Sequence, residues 1–335
     1  MAELLYDDVA DPSVIQRRNV TILGFGSQGR AQALSLRDSG VDVRVGLPKD
    51  SQSRVSAEAE GFPVLTPYDA CEESDLIVLL APDHLQRHLY ADAVEPNLVD
   101  GDAVLFGHGF NIRFGFIEPP AGVDVVMVAP RGPGHLVRRE YEEGRGVPVL
   151  VAVEHDATGN GWDLALSYAK ALGGTRAGAI RTTFAEETET ALFGEQAVLG
   201  GGASRLVQAG FETLVEAGYQ PEIAYFACLH ELKRVVDLMY RGGIAEQRRS
   251  ASDIAEYGDH TSGAYVVDDS VKERMQHVLS AIRDGSWADG VIEDQDAGAA
   301  KLQQFRRQAE THPIEQAGRR TRALMAWLRS DEDGI

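Results

Sequence analysis

Cysteine is scarce in this sequence. Cys71 and Cys228 stand far apart, with no CxxC or other metal-ligand spacing around either, so neither a disulfide framework nor a cysteine-built zinc site is available. Both read as buried thiols. Long apolar runs are missing too: no segment approaches the roughly 18 uninterrupted apolar residues of a membrane span. Positive charge is in deficit, with 32 basic against 52 acidic residues and a formal net charge of -20. That argues against a nucleic-acid surface, which needs basic patches to displace counterions from phosphates, and leaves room for local basic pockets. Only five of the basic residues are lysine (49, 170, 233, 272 and 301), a skew typical of GC-rich coding and silent about mechanism. The first residues, MAELLYDDVADPSVIQ, carry acidic groups where a secretory signal has positive charge and an apolar run, so the expected location is the cytoplasm. Low-complexity segments and tandem repeats are also absent.

At 335 residues there is room for two domains of roughly 150 residues each. From residue 19 to about 183, β-branched runs alternate with helical stretches: NVTILGF, VDVRVGL, FPVLT, DLIVLLAP, DAVLFGHGF, DVVMVAP and VPVLVAV. That rhythm predicts an α/β fold of Rossmann type, a doubly wound parallel sheet with crossover helices on both faces. After about residue 184 strand signals cease and apolar residues recur at three- and four-residue spacing, as in AYFACLHELKRVVDLMYRGG, which predicts an all-helical second domain. The expected boundaries are 1–183 and 184–330, with 331–335 a fraying polar tail.

The stretch VTILGFGSQGRAQAL sets Gly24, Gly26 and Gly29 in GxGxxG spacing between a strand and a helix. Gly24 permits the tight turn, Gly26 lets a pyrophosphate approach the backbone, and Gly29 lets helix pack on strand. With Phe25, Ser27 and Gln28 between them, these residues form a dinucleotide loop whose helix N-terminus favours phosphate. The second strand leads into PKDSQSR, where Lys49, Ser51, Ser53 and Arg54 suit a 2′-phosphate and Asp50 a free ribose. NADPH is expected, with NADH the alternative.

The runs GFGSQGRAQAL, HGFNI, MVAPRGPGHLVRREYEEGRGVP, EETETALFGEQAVLGGG, GYQPEIAYFACLHELKRVVDLMYRGG and SDIAEYGD strongly resemble ketol-acid reductoisomerases of the short, class I type, over residues 4 to 330. The resemblance implies a knotted helical C-terminal domain, a homodimer or a dodecamer of dimers, NADPH, and two magnesium ions that serve alkyl migration in 2-acetolactate-type substrates before hydride transfer. It places four acidic ligands at 191, 195, 227 and 231, two pairs spaced to share a helix face. Here those positions hold Ala191, Glu195, Ala227 and Glu231. The lysine that the family carries in APKGPGH is Arg131, whose guanidinium is not an equivalent point charge but could place fixed positive charge where an ion would sit. Arg131, Ala251 and the cofactor-loop differences accompany the alanines, the pattern of natural divergence. Magnesium is therefore expected to be absent or weakly bound, with Glu195 and Glu231 the residual candidates.

The resemblance carries other roles over: His108 as the histidine near the nicotinamide, Pro133 and Gly134 as lining of that pocket, Glu231 as a substrate contact, and Ser252 as a carboxylate contact given across a dimer. Ala251 and Ala255 belong to the substrate wall, and Ala251, usually isoleucine, enlarges it. Catalysis would rest on His108, Arg131, Glu195 and Glu231. His135 and His230 read as structural. The expectation is a reductase that transfers hydride to a small 2-oxo acid, ketol acid or imine without metal-dependent migration. The alternatives are an authentic magnesium-dependent reductoisomerase and a non-catalytic NADP-binding paralogue.

Overall fold

The computed structural model describes residues 2–328. The chain divides into two compact units, Met1–Thr190 and Ala191–Ile335, so the helix Phe184–Phe193 straddles the division. The expected domain start at 184 is the first residue of that helix, and the expected tail from 331 lies outside the described residues.

The first unit holds one nine-stranded sheet: β1 (Leu4–Leu5), β2 (Asn19–Leu23), β3 (Asp42–Gly46), β4 (Val64–Leu65), β5 (Leu76–Leu79), β6 (Ala103–Phe106), β7 (Asp124–Pro130), β8 (Val149–His155) and β9 (Ala179–Arg181), in the order β1-β9-β8-β7-β6-β5-β2-β3-β4. Alternate residues of one strand feed opposite cores. Ile22, Val78, Leu105 and Val126 belong to one buried cluster, and Leu23, Ile77, Val104 and Met127 to the other. That two-sided burial explains why these strands read as unbroken apolar runs.

From β4 to β7 the pairing is parallel, and the chain's path reverses between β2 and β5. Ligands bind at such a switch point in open α/β sheets. One part of the sequence expectation changes. VPVLVAV forms β8, but β8 runs antiparallel to β7, with Val149 paired to Pro130. The reason is the connection: β8 begins where β7 ends, after an excursion through Gly134–Glu142 that never crosses the sheet, and an apolar run carries no direction.

Beyond the sheet the chain is helical. Val207, Phe211, Ala224, Tyr225, Ile314 and Ala317 form the second unit's own core. The helices Glu231–Arg249 and Asp253–Val266 bury no residue of their own. No helix among the described residues is long and apolar enough to cross a membrane.

Candidate functional site

A cavity of about 870 Å³ opens at the switch point, lined among others by Gly24, Gly26, Gln28, Ser51, Asp83 and His108. Its floor is the glycine turn between β2 and α1 (Ser27–Asp38). Gly24 has φ +110°, and a Cβ there would lie 2.7 Å from the Ala81 nitrogen. A Cβ on Gly29 would lie 2.1 Å from the Gly24 carbonyl oxygen, whereas one on Gly26 would meet nothing within 4 Å. Two glycines are thus demanded by protein backbone and the third faces open space, as a pyrophosphate cradle requires. The residues present fit a dinucleotide.

Of the expected 2′-phosphate contacts, Ser51 and Ser53 line the cavity, and Lys49 is exposed outside its lining. Arg54 is engaged elsewhere: Nη1 donates to the Leu47 and Leu65 carbonyls at 2.9 and 3.2 Å and Nη2 to the Val64 carbonyl at 3.0 Å. In this arrangement it clamps the ends of β3 and β4.

Around His108 lies a charged cluster inside the first unit. His108 follows β6, and its Nδ1 lies 3.0 Å from Oδ2 of Asp83, the first residue of the helix Asp83–Leu89 that follows β5. Its Nε2 lies 3.9 Å from Oε2 of Glu187, which is 2% exposed on α2 (Phe184–Phe193). The Gly109 N–H donates to the same Oε2 at 3.2 Å, and Arg131 Nη1 is 3.5 Å from Glu187 Oε1. Gly109 permits this approach, because a Cβ there would come within 2.4 Å of Thr188 Oγ1. Asp83 and Glu187 were missed in the sequence. The position of Asp83 in LAPDHLQ, shortly after a strand, was the one available signal for the first.

The loop after β7 is bolted to the cofactor helix. The Gln28 side chain donates to the Gly132 carbonyl at 2.8 Å, and the Gly134 N–H donates to Ser27 Oγ at 3.2 Å. Behind them the Tyr168 hydroxyl donates to Gln32 Oε1 at 2.7 Å, and Gln32 Nε2 donates to Gln28 Oε1 at 3.1 Å. Burial raises the Tyr168 hydroxyl's pKa, so it stays a donor. A Cβ on Gly134 would lie 2.0 Å from the Ser27 carbonyl oxygen. Neither Pro133 nor Gly134 is in the cavity lining; both shape the loop that presents Arg131.

In the second unit, Glu195 lies within a π-helical turn, Gly194–Leu199, and Ala227 within another, Phe226–His230, that ends against Glu231. Such wide turns are rare and gather at functional sites. Glu195 and Glu231 are exposed. Magnesium needs hard oxygen donors in octahedral array, and a methyl group at 191 and at 227 provides none. Among the described residues no three His, Cys, Asp or Glu side chains group to hold a metal. Ser252 caps the helix Asp253–Val266, its hydroxyl accepting from the Ala255 N–H at 3.4 Å, and Ala251 is half-buried beside it.

Two family profiles cover nearly the whole chain: the NADPH-binding domain of acetohydroxy acid isomeroreductase over residues 14–178 and the C-terminal domain of ketol-acid reductoisomerase over residues 184–327. The chain is 68% identical to a ketol-acid reductoisomerase (NADP(+)) of Kineococcus radiotolerans, covering 99% of this chain and 97% of the relative. It is 64% identical to one of Beutenbergia cavernae, covering 99% and 98%. A solved NADH-preferring ketol-acid reductoisomerase from an uncultured archaeon superposes with a TM-score of 0.91 at 41% identity, covering 97% of this chain and 99% of that one.

Proposed function

Because the chain belongs to the ketol-acid reductoisomerase family, we propose that it is an NADPH-dependent oxidoreductase acting on a small ketol acid or 2-oxo acid, completing the hydride transfer without the metal-dependent alkyl shift. The full-length likeness supports the substrate class and the cofactor. The residues at the four ligand positions bear on which steps are completed.

Gly26 and the N-terminus of α1 would hold NADPH, which would supply the hydride. Arg131 gives the substrate's oxygens a fixed positive charge, the Asp83–His108 pair handles the proton that the reduced oxygen takes up, and Glu187 holds Arg131 and the Gly109 amide in place. Those tasks require orientation and charge stabilisation alone. Alkyl migration requires far more, since one lost electrostatic group costs roughly 3 to 4 kcal/mol of barrier and this chain has an alanine at two ligand positions. That pair of alanines is the observation that carries the reading.

The complete, magnesium-dependent reaction is the second reading, and the shared name of relatives 61–68% identical to this chain backs it more directly than it backs reduction alone. Incubation with NADPH, magnesium and either 2-acetolactate or its pre-isomerised form, 3-hydroxy-3-methyl-2-oxobutanoate, with and without EDTA, separates the two. The first reading expects NADPH oxidation with the second substrate only, unchanged by EDTA; acetolactate turnover abolished by EDTA establishes the other.

A homodimer belongs to the same proposal. Tyr240, Ile254, Tyr257 and Tyr265 are 72–88% exposed on two helices that bury nothing of their own, an apolar surface that a second copy would cover. Light scattering showing a monomer at micromolar concentration removes this part.

A further inference from the structure

We propose that Asp83 is a positioning residue that fixes the ring of His108 with its proton on Nδ1, leaving Nε2 to serve the substrate. The inference rests on the reductive reading above but is separable from it.

The geometry of Asp83 goes beyond a chance carboxylate at the start of a helix. Its Oδ1 accepts from Gln86 Nε2 at 3.2 Å, and its Oδ2 faces His108 Nδ1 at 3.0 Å. Gln86, 3% exposed, is fully used, since Nε2 also donates to the Ala81 carbonyl at 2.8 Å and Oε1 accepts from Asn111 Nδ2 at 3.0 Å. Asn111, fully buried, spends its other amide hydrogen on the Asp83 carbonyl at 3.0 Å. Both of those neighbours of Asn111 are acceptors, so the amide's orientation is settled by its partners. Two buried amides thus hold the Asp83 backbone and one carboxylate oxygen, and the other oxygen is aimed at the imidazole.

An ionised carboxylate only accepts hydrogen bonds, so the His108 nitrogen facing it must carry hydrogen. Nε2 then points into the region where Glu187 Oε2 lies 3.9 Å away, too far for a direct bond and wide enough for an intervening oxygen. Among the groups that face the ring are Asp83, Glu187 and, through Glu187, Arg131, with Phe110 stacked at 6.4 Å. When hydride adds to the carbonyl carbon and the C=O π pair moves to oxygen, the protonated ring gives its Nε2 hydrogen to that oxygen. The products are an alcohol, NADP+ and a neutral imidazole still held through Nδ1–H by Asp83, and solvent returns the proton.

The plain structural alternative is that the pair merely ties the helix after β5 to the turn after β6. Asp83→Asn tells them apart, because it keeps size and a bond acceptor but removes the charge. In the NADPH-bound full chain labelled with 15N-histidine, with the His108 signals assigned by a His108→Gln control, the wild type should show His108 protonated on Nδ1 at alkaline pH, and the variant a mixture of both tautomers. With 3-hydroxy-3-methyl-2-oxobutanoate the variant's kcat should fall at least ~10-fold while KM and the dissociation constant for NADPH stay within about twofold. Gln86→Leu, which frees Asp83 Oδ1, should move both readouts in the same direction by less, which keeps the test open if Asp83→Asn folds poorly. An unchanged tautomer, or a loss confined to KM and thermal stability, overturns the inference. If the wild type reduces no keto acid, the proposed function fails and the spectra still decide the role of Asp83.

Discussion

Replacing Gly26 by alanine should cost this protein its cofactor and almost none of its stability. Gly26 sits at φ −81° and ψ −159°, extended backbone open to any residue, as the residue before α1. A Cβ there has no heavy atom within 4 Å, so packing raises no objection. At an N-cap, alanine is worse than glycine by about 1 kcal/mol, and the smaller entropy of the unfolded alanine chain returns about 0.4–1 kcal/mol. The net change is close to zero, and the melting temperature should move by no more than about 3 °C. In the holoenzyme the same methyl group enters the space of the pyrophosphate. Losing one or two amide–phosphate hydrogen bonds, each worth about 1.5–3 kcal/mol to a charged group, should weaken NADPH binding about ten- to ten-thousandfold. Gly29→Ala is the opposite case: its Cβ would lie 2.1 Å from one backbone oxygen and 2.9 Å from the adjoining carbon, atoms that cannot swing away. It should destabilise the fold by about 3 kcal/mol or more before cofactor is added. Calorimetric titration with NADPH beside thermal melts of both variants gives the answer. Wild-type affinity in Gly26→Ala would refute the cradle, and a collapsed melt would refute the open space.

Arg54→Met should lower stability by about 1–3 kcal/mol, because three carbonyl acceptors lose their donor, and urea titration should detect this without NADPH; a change in NADPH affinity alone would show that the guanidinium turns to the phosphate. Burial pushes the Cys71 thiol up to about 12, so a thiol reagent should leave it untouched in the native protein at pH 8. The sign follows from linkage: the folded state favours the thiol, so stability is indifferent to this group below the ordinary thiol value of about 9 and falls as pH rises from there toward 12. Restoring Asp at 191 and Glu at 227 together with Arg131→Lys should produce magnesium binding measurable by calorimetry, and continued absence of binding would mean that the π-helical turns no longer hold Glu195 and Glu231 in ligand geometry.

How far the sequence discloses this molecule depends on whether information is local. The cofactor loop was legible because a strand, three glycines and a helix are contiguous and each glycine answers a separate steric demand. The sheet was legible for the same reason, except for the direction of β8, which is set by where its connection emerges. Arg54 shows the limit for a single charged residue: a basic group after β3 serves a phosphate or a set of carbonyls equally well, and only the placement of Leu47, Val64 and Leu65 selects the carbonyls. Glu187 lay beyond reach, and Asp83 offered only its place shortly after a strand, because three separate segments, the helix after β5, the turn after β6 and α2, are brought together at His108. The alanines at 191 and 227 were visible only against the family pattern, since an alanine announces nothing by itself.

The ties from Gln28 to Gly132 and from Gly134 to Ser27 also bear on how such an enzyme can change. The loop that cradles the dinucleotide and the segment that carries Arg131 share hydrogen bonds, so they are not independent modules for selection or for design. A substitution that reshapes the glycine loop at one end would be inherited as a displacement of Arg131 at the other. Lineages crossing that terrain would therefore move in coupled steps, and libraries that vary both segments together should reach variants that successive single changes miss.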